Sequence, residues 1–334
     1  MTFSLKSVLK YLILFLVGIG VLFLAFKGQD LSKIWLEIQN ADFLWVILSA
    51  FSVLIAHVLR ALRWRMLYHS INYKVGFWRT YHAVIIGYLA NLALPRFGEI
   101  GKCSVILRTE KVPMFASIGT VITERLFDVL ILGISGILLL VFQYDLVYGF
   151  LYKIIYLNLT HKIQSLNFFW LISLIVFTAA LISVLIFFIR KRLSNKVLRI
   201  LVGLRQGFNS YKRLNSKPMF MLYTFGIWFF YWFSMYLAFS AISITSGLGF
   251  NAAFTTLVFS SFAMIAPVQG GIGVFHWMVA QALLLYAISF KDALAYATII
   301  HSSQILLILI LGTLSLLFVL TKKSGSKQTA TFRN

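Results

Sequence analysis

Long apolar runs fill almost the whole chain, near residues 8–26, 43–62, 81–94, 114–142, 168–189, 219–245, 252–266, 274–289 and 294–320. Several approach or exceed the roughly 20 residues that carry a helix across a bilayer. Only 12% of the 334 residues are charged, about half the share of a soluble fold, so this chain takes lipid as its solvent. The expected fold is an all-α integral membrane protein. The formal charge of +21 then serves orientation in the membrane and not nucleic-acid binding. The first run follows Lys6 and Lys10 as a signal peptide would. It is long for one and lacks a small-x-small cleavage site, so a retained span is expected. A single cysteine, Cys103, excludes an internal disulfide.

Basic residues between the runs are shared unevenly. The N-terminus holds two, 60–79 five, 190–217 nine and the C-terminal tail four, whereas 27–42 and 143–167 hold two each beside acids. Positive loops stay in the cytoplasm, which puts both termini, 60–79 and 190–217 inside. Residues 81–112 must then enter and leave on one side, and so must 252–290. The expectation is six spanning helices and two re-entrant hairpins; eight plain spans is the rival. A polytopic domain over 1–321 would contain inverted halves, about 8–142 and 168–320, followed by a cytoplasmic tail, 322–334.

The hairpin tips align. "PRFGEIG" (95–101) and "PVQGGIG" (267–273) share proline, glycine, isoleucine and glycine at the same spacing. Each follows two expected spans and precedes one. Inverted repeats with broken helices are a transporter architecture whose site lies at the breaks. Pro95 and Pro267 would end the incoming half-helices. Gly98, Gly101, Gly270, Gly271 and Gly273 would permit the turns and close backbone approach. Each outgoing half-helix would then aim free N–H groups at an anion. Packing of helix on helix is the plainer role for such glycines.

Charges inside membrane segments are costly and face partners or water. Glu99, Glu124 and Asp128 are accompanied by Arg96, Lys102 and Arg125. Glu124 and Asp128, four apart, share a helix face, and Arg125 reaches Asp128 from three residues away. One reading makes all six a structural lock. The functional reading makes Arg96, Lys102 and Arg125 a phosphate pocket oriented by the carboxylates. In the second half, Gln269 and His276 stand at the tip and His301 falls in the last span, aligned with Glu124. Lone histidines in apolar helices are more often packed than functional. No metal-ligand spacing, nucleophile elbow, P-loop or dinucleotide fingerprint is found, so no cofactor and no enzymatic activity are expected. Residues 194–217 place Val197, Leu201, Leu204, Phe208 and Tyr211 at helical spacing, with Arg199, Arg205, Lys212 and Arg213 elsewhere. That pattern suits an amphipathic helix on anionic lipid at the cytoplasmic surface, or a linker that fixes topology.

With "LRALRWRML", "NLALPRFGEIGK", "TERLFD" and "PVQGGIG" in this order, the chain resembles the flippase-like transmembrane domain of lysylphosphatidylglycerol synthases and related stand-alone membrane proteins, from about residue 8 to 320. The resemblance implies the translocating half of that activity, binding a lipid headgroup and passing it between leaflets. Fourteen residues follow the last expected span, so a member without the soluble synthase domain is expected. Two features depart from the family pattern. Pro95 and Arg96 adjoin, and Gln269 and His276 occupy places where the family often has a proline and a glutamate; the substrate's charge is left open.

The leading expectation is a lipid translocase of a bacterial-type inner membrane, with substrate-binding residues Arg96, Glu99, Lys102, Glu124, Arg125, Asp128, Gln269, His276 and His301. Its ligand would be a membrane phospholipid or polyprenyl-linked lipid. A transporter of a small soluble charged solute is one rival. Another is a non-transporting partner of a lipid-modifying enzyme, and an intramembrane enzyme using Glu99 and Glu124 ranks last.

Overall fold

The computed structural model describes residues 31–151 and 209–321, together with Leu16, Ile19, Phe23, Phe26 and Lys27. The expected span over 168–189, the tail 322–334, most of the basic segment 190–217 and all but four residues of the span over 8–26 lie outside the described residues. Every regular element among the described residues is helical. In chain order these are α1 (Leu31–Gln39), α2 (Phe43–Ser70), α3 (Phe77–Ala93), α4 (Gly98–Glu110), α5 (Met114–Phe142), α6 (Tyr144–Leu151), α7 (Lys217–Phe239), α8 (Phe250–Ala263), α9 (Val274–Leu284) and α10 (Phe290–Thr321).

Four of them, α2, α5, α7 and α10, are long and apolar enough to cross a membrane. Their outward faces carry large apolar side chains that water would not tolerate. Val129, Ile137, Val141 and Phe142 are exposed on α5, and Leu306, Ile310, Leu314 and Leu317 on α10. With lipid as solvent this surface is ordinary, and the interior is distinguished by what is polar.

Capping residues set the starts. Asp42 accepts from the Leu44 N–H at 3.0 Å before α2, and Ser216 accepts from the Met219 N–H before α7, with Pro218 in the first turn. The long helix α2 runs on to Ser70, eight residues beyond the apolar run that announced it. Arg60, Arg63 and Arg65 are therefore helical residues. This corrects their expected place in a basic loop over 60–79: no breaker occurs before Asn72, which takes a left-handed φ of 65°.

Both expected helix breaks are present. Leu94 is extended (φ −136°, ψ 121°), as the residue before a proline prefers; α3 therefore ends at Ala93 and α4 begins at Gly98. The arms fold back on one another so closely that a Cβ on Gly98 would lie 2.1 Å from the Gly87 carbonyl oxygen. Only glycine fits there. The second break, Met264 to Gly273, is longer and holds a single 3-10 turn, Gln269–Gly271. Here Gly270, Gly271 and Gly273 take φ of 56°, 77° and 83°, a region open to glycine at little cost. The aligned tips thus use their shared glycines differently. At the first tip the left-handed residue is Arg96, with φ 61°.

The two described segments, 31–151 and 209–321, interlock reciprocally. α2 and α7 run antiparallel along their length, joined by Ser49 Oγ to Ser234 Oγ at 2.8 Å, by Ser52 Oγ donating to the Phe230 carbonyl at 2.7 Å, and by Leu59 against Gly226. The last long helix of each segment packs on the first helix of the broken pair in the other, α10 on α3 and α5 on α8. Gly312 on α10 makes room for Leu89 on α3. The tips also meet: Leu92 approaches Gly270, and an Arg96 guanidinium nitrogen donates to the Ile265 carbonyl at 2.8 Å.

Candidate headgroup site

The polar interior concentrates under the first hairpin, where α2, α4 and α5 meet. Arg60 and Arg63 stand three apart on α2, and Glu124 and Asp128 four apart on α5, so each pair occupies one helix face. The faces oppose. Arg60 Nη1 reaches Glu124 Oε1 and Asp128 Oδ2, each at 2.9 Å, while Arg63 Nη2 reaches Glu124 Oε1 at 3.2 Å and Asp128 Oδ1 at 2.8 Å. From α4, Lys102 Nζ donates to Glu124 Oε2 at 2.6 Å. The ammonium also sits over the Trp64 ring, 4.4 Å from its centroid, and Trp64 Nε1 donates to Thr120 Oγ1 at 3.0 Å. Arg63 and Glu124 are fully shielded (each 0% exposed). Buried charges of this kind persist only when each has close partners. Glu124 has three.

Arg125 and Glu99 form the outer edge of this cluster. Their ion pair is 2.7 Å long and both side chains are 43% exposed; Arg125 also lies 3.7 Å from Asp128. Glu99 occupies the first turn of α4, where the helix dipole favours an acid. Gly98 N–H is already taken by the Asn91 side-chain oxygen at 2.7 Å. A shallow cleft opens between the hairpin arms and α5, lined by Arg60, Lys102, Arg125, Glu99, Tyr88 and Asn91, with Val84 and the two close-packed glycines 87 and 98. Its wall continues inward to His57, whose ring lies 4.5 Å from that of Tyr88, and to Tyr231, whose hydroxyl is 3.3 Å from the Tyr88 hydroxyl.

Of the expected site residues, the structure brings together Glu99, Lys102, Glu124, Arg125 and Asp128. Arg96 stands apart, exposed at the contact between the tips. Gln269, His276 and His301 are buried at the second break and line no part of this cleft. There His301 Nε2 is 2.8 Å from the Gly270 carbonyl oxygen, its ring stacks on Phe275, and the His276 ring lies 5.0 Å away edge-on. His301 ties α10 to the second break through Gly270, and Glu124 ties α5 to α4 through Lys102. Arg60 and Arg63 were not among the expected site residues, and they supply half of the cluster's cations. Their signal was the i, i+3 spacing in "LRALRWRML" with no helix breaker before residue 72.

A membrane helix bundle with a cationic cleft at a helix break is a form, not yet a family. The family model described as the lysylphosphatidylglycerol synthase TM region matches residues 8–312 of the chain. This chain belongs to that family. Membership and the apolar helices together make it a multi-pass membrane protein of a family concerned with lipids. The searches of curated proteins and of solved structures returned no match. Within the lysylphosphatidylglycerol synthase TM family match fall both helix breaks and all seven residues of the ionic cluster.

Proposed function

We propose that the chain is a lipid translocase that binds a phospholipid or lipid-linked headgroup in the cleft beneath the first hairpin and passes it between leaflets, with the acyl or prenyl tails left in the bilayer. No covalent step belongs to this reading. The observation that carries it is the cleft lined by Arg60, Lys102 and Arg125 at a helix break. Cations suit a phosphate, arginine by paired N–H donors and lysine as a point charge.

Support comes from helix length. α4, α8 and α9 have 13, 14 and 11 residues, about 16–21 Å at 1.5 Å per residue, against a hydrocarbon core of ~30 Å. On this reading α3–α4 and α8–α9 are re-entrant hairpins within an inverted repeat of six spans. The antiparallel packing of α2 on α7 and the meeting of the tips agree with it. Irregular backbone at that depth has to line a cavity or be buried in protein. The membrane is a bacterial-type inner membrane with both termini cytoplasmic, following the excess of lysine and arginine at 190–217 and in the tail.

The test is exchange of tail-labelled phospholipids between leaflets of vesicles containing the purified full chain. Exchange above that of protein-free vesicles, lowered at least ~10-fold by Arg125→Ala, supports the reading. Wild-type protein that moves no lipid, or uptake of a soluble anion instead, removes it.

A further inference from the structure

We infer that His276 and His301 at the second helix break form a proton-binding pair, and that uptake of one proton there releases the break from the closed arrangement of this structure. The pair lies apart from the ionic cluster and needs nothing of the headgroup reading.

His301 stands on α10 and His276 in the first turn of α9. Both are shielded, His301 4% and His276 6% exposed. Their rings meet edge-on with centroids 5.0 Å apart. The Gly270 carbonyl oxygen lies 2.8 Å from His301 Nε2. A carbonyl only accepts, so Nε2 carries the hydrogen and Nδ1 keeps the lone pair. Among the described residues that Nδ1 has no hydrogen-bond partner, and neither has Nδ1 of His276. Buried polar atoms left unpaired are uncommon and call for a reason. The described residues place no third metal-ligating side chain beside the two rings, and the ligand that imidazole takes readily without one is a proton.

The surroundings decide what that proton does. Phe275 of α9 stacks on His301 at 4.5 Å, and Phe26 lies edge-on to His276 at 6.2 Å. The break itself brings Gly270 and the uncharged Gln269. On α10, Tyr296 gives its hydroxyl to the Met235 carbonyl of α7, and from the first tip Arg96 is bonded to the Ile265 carbonyl. Among the described residues the ionisable group acting on His276 is His301, and no carboxylate acts on either ring. Under the first hairpin the buried cations Arg60, Arg63 and Lys102 each have a carboxylate within 2.9 Å. A proton on this pair has none.

A charged ring would gain from the face of Phe275 and from a stronger bond to Gly270. Both gains are smaller than the cost of keeping an unpaired charge from water. Two imidazolium rings side by side would repel, so the pair takes one proton. That charge drives the break toward water. The backbone can yield there, since Gly270, Gly271 and Gly273 already hold left-handed φ and the stretch has a single 3-10 turn. Closed, the pair is neutral; opened into water, it binds a proton as ordinary histidine does, near pH ~6.5. Acid therefore loosens the break and alkali closes it.

The experiment is hydrogen–deuterium exchange of the purified full chain in detergent, read by mass spectrometry across the histidine range and divided at each pH by the intrinsic exchange rate. Protection over residues 264–273 should stay level above about pH 6.5 and fall ~10-fold per pH unit below it, about 1.4 kcal/mol per unit for one proton. Residues 227–239 of α7 are the reference and should not follow. His276→Gln combined with His301→Gln keeps amide donors at both positions and removes both titrating rings. It should abolish the acid slope, whereas a purely packing role would change the level of protection and keep the slope. Level protection in wild type, a fall shared by α7, or an unchanged slope in the double variant overturns the inference. Should the double variant not fold, the two wild-type readings still decide. No lipid movement is read, so a chain that exchanges no lipid would leave this result standing, and a flat profile would leave the translocase reading untouched.

Discussion

Lys102 and Glu124 meet at 2.6 Å, ammonium to carboxylate, across the junction of α4 and α5. This contact ties the outgoing arm of the first hairpin to a membrane-crossing helix, and it closes the same carboxylate that Arg60 and Arg63 hold from α2. One acid thus fixes three helices around the cleft.

Removing that acid leaves Lys102 without its carboxylate and Arg60 and Arg63 sharing Asp128 alone. Glu124→Ala should cost about 3–5 kcal/mol, the range for breaking a buried pair from one side, seen as a marked fall of the thermal midpoint in detergent. Lys102→Met should cost less in the Glu124→Ala background than in wild type, because the charge it removes is then unpaired. Equal costs in the two backgrounds would mean that the contact carries no coupling energy.

The glycines separate packing from passive occurrence. At Gly98 an added methyl meets the Gly87 carbonyl at 2.1 Å, whereas at Gly133 on α5 nothing lies within 4 Å. Gly98→Ala should force the hairpin arms apart and lower the thermal midpoint. Gly133→Ala should be neutral or stabilising by up to ~1 kcal/mol, the helix-propensity gain. Midpoints of the two variants measured side by side check this.

Arg96 belongs to the contact between tips. Its bond to the Ile265 carbonyl is of the kind that contributes ~1.5–3 kcal/mol at most when charged, and less when exposed. Arg96→Ala should therefore lower stability modestly and leave headgroup affinity within about a factor of two, where one factor of ten is 1.4 kcal/mol. Native mass spectrometry of bound lipid reads the affinity. A collapse of binding in Arg96→Ala would return this residue to the cleft.

His301 tests the second break. His301→Phe keeps an aromatic ring against Phe275 but loses the bond to the Gly270 carbonyl. Faster backbone hydrogen exchange confined to residues 264–273, with a cost of about 1 kcal/mol, is the expected outcome. Unaltered exchange there would make the histidine a packing residue alone.

Much of this architecture was legible in the residues. Pro95 and Pro267 marked real breaks because proline restricts both itself and its predecessor, whatever the surroundings. The common face of Glu124 and Asp128 followed from helix geometry, and Arg60 and Arg63 oppose that face. What stayed hidden was the end of α2. Its last turns carry arginines, which in a hydropathy pattern look like a loop, and their partners are 61 to 68 positions away. Long-range pairing leaves no local trace. The two tips, alike in letters, also differ in backbone: Gly98 answers a close approach and Gly270 a left-handed turn. Letters alone do not distinguish these demands.

The most direct measurement uses a phospholipid with a photoreactive group on its head, irradiated with the purified chain and mapped by peptide sequencing. Attachment should fall on the cleft residues between Val84 and Lys102 and around Arg125, and Arg125→Ala should reduce it. Attachment spread over the exposed apolar faces of α5 and α10, unaffected by that substitution, would contradict a headgroup site beneath the first hairpin.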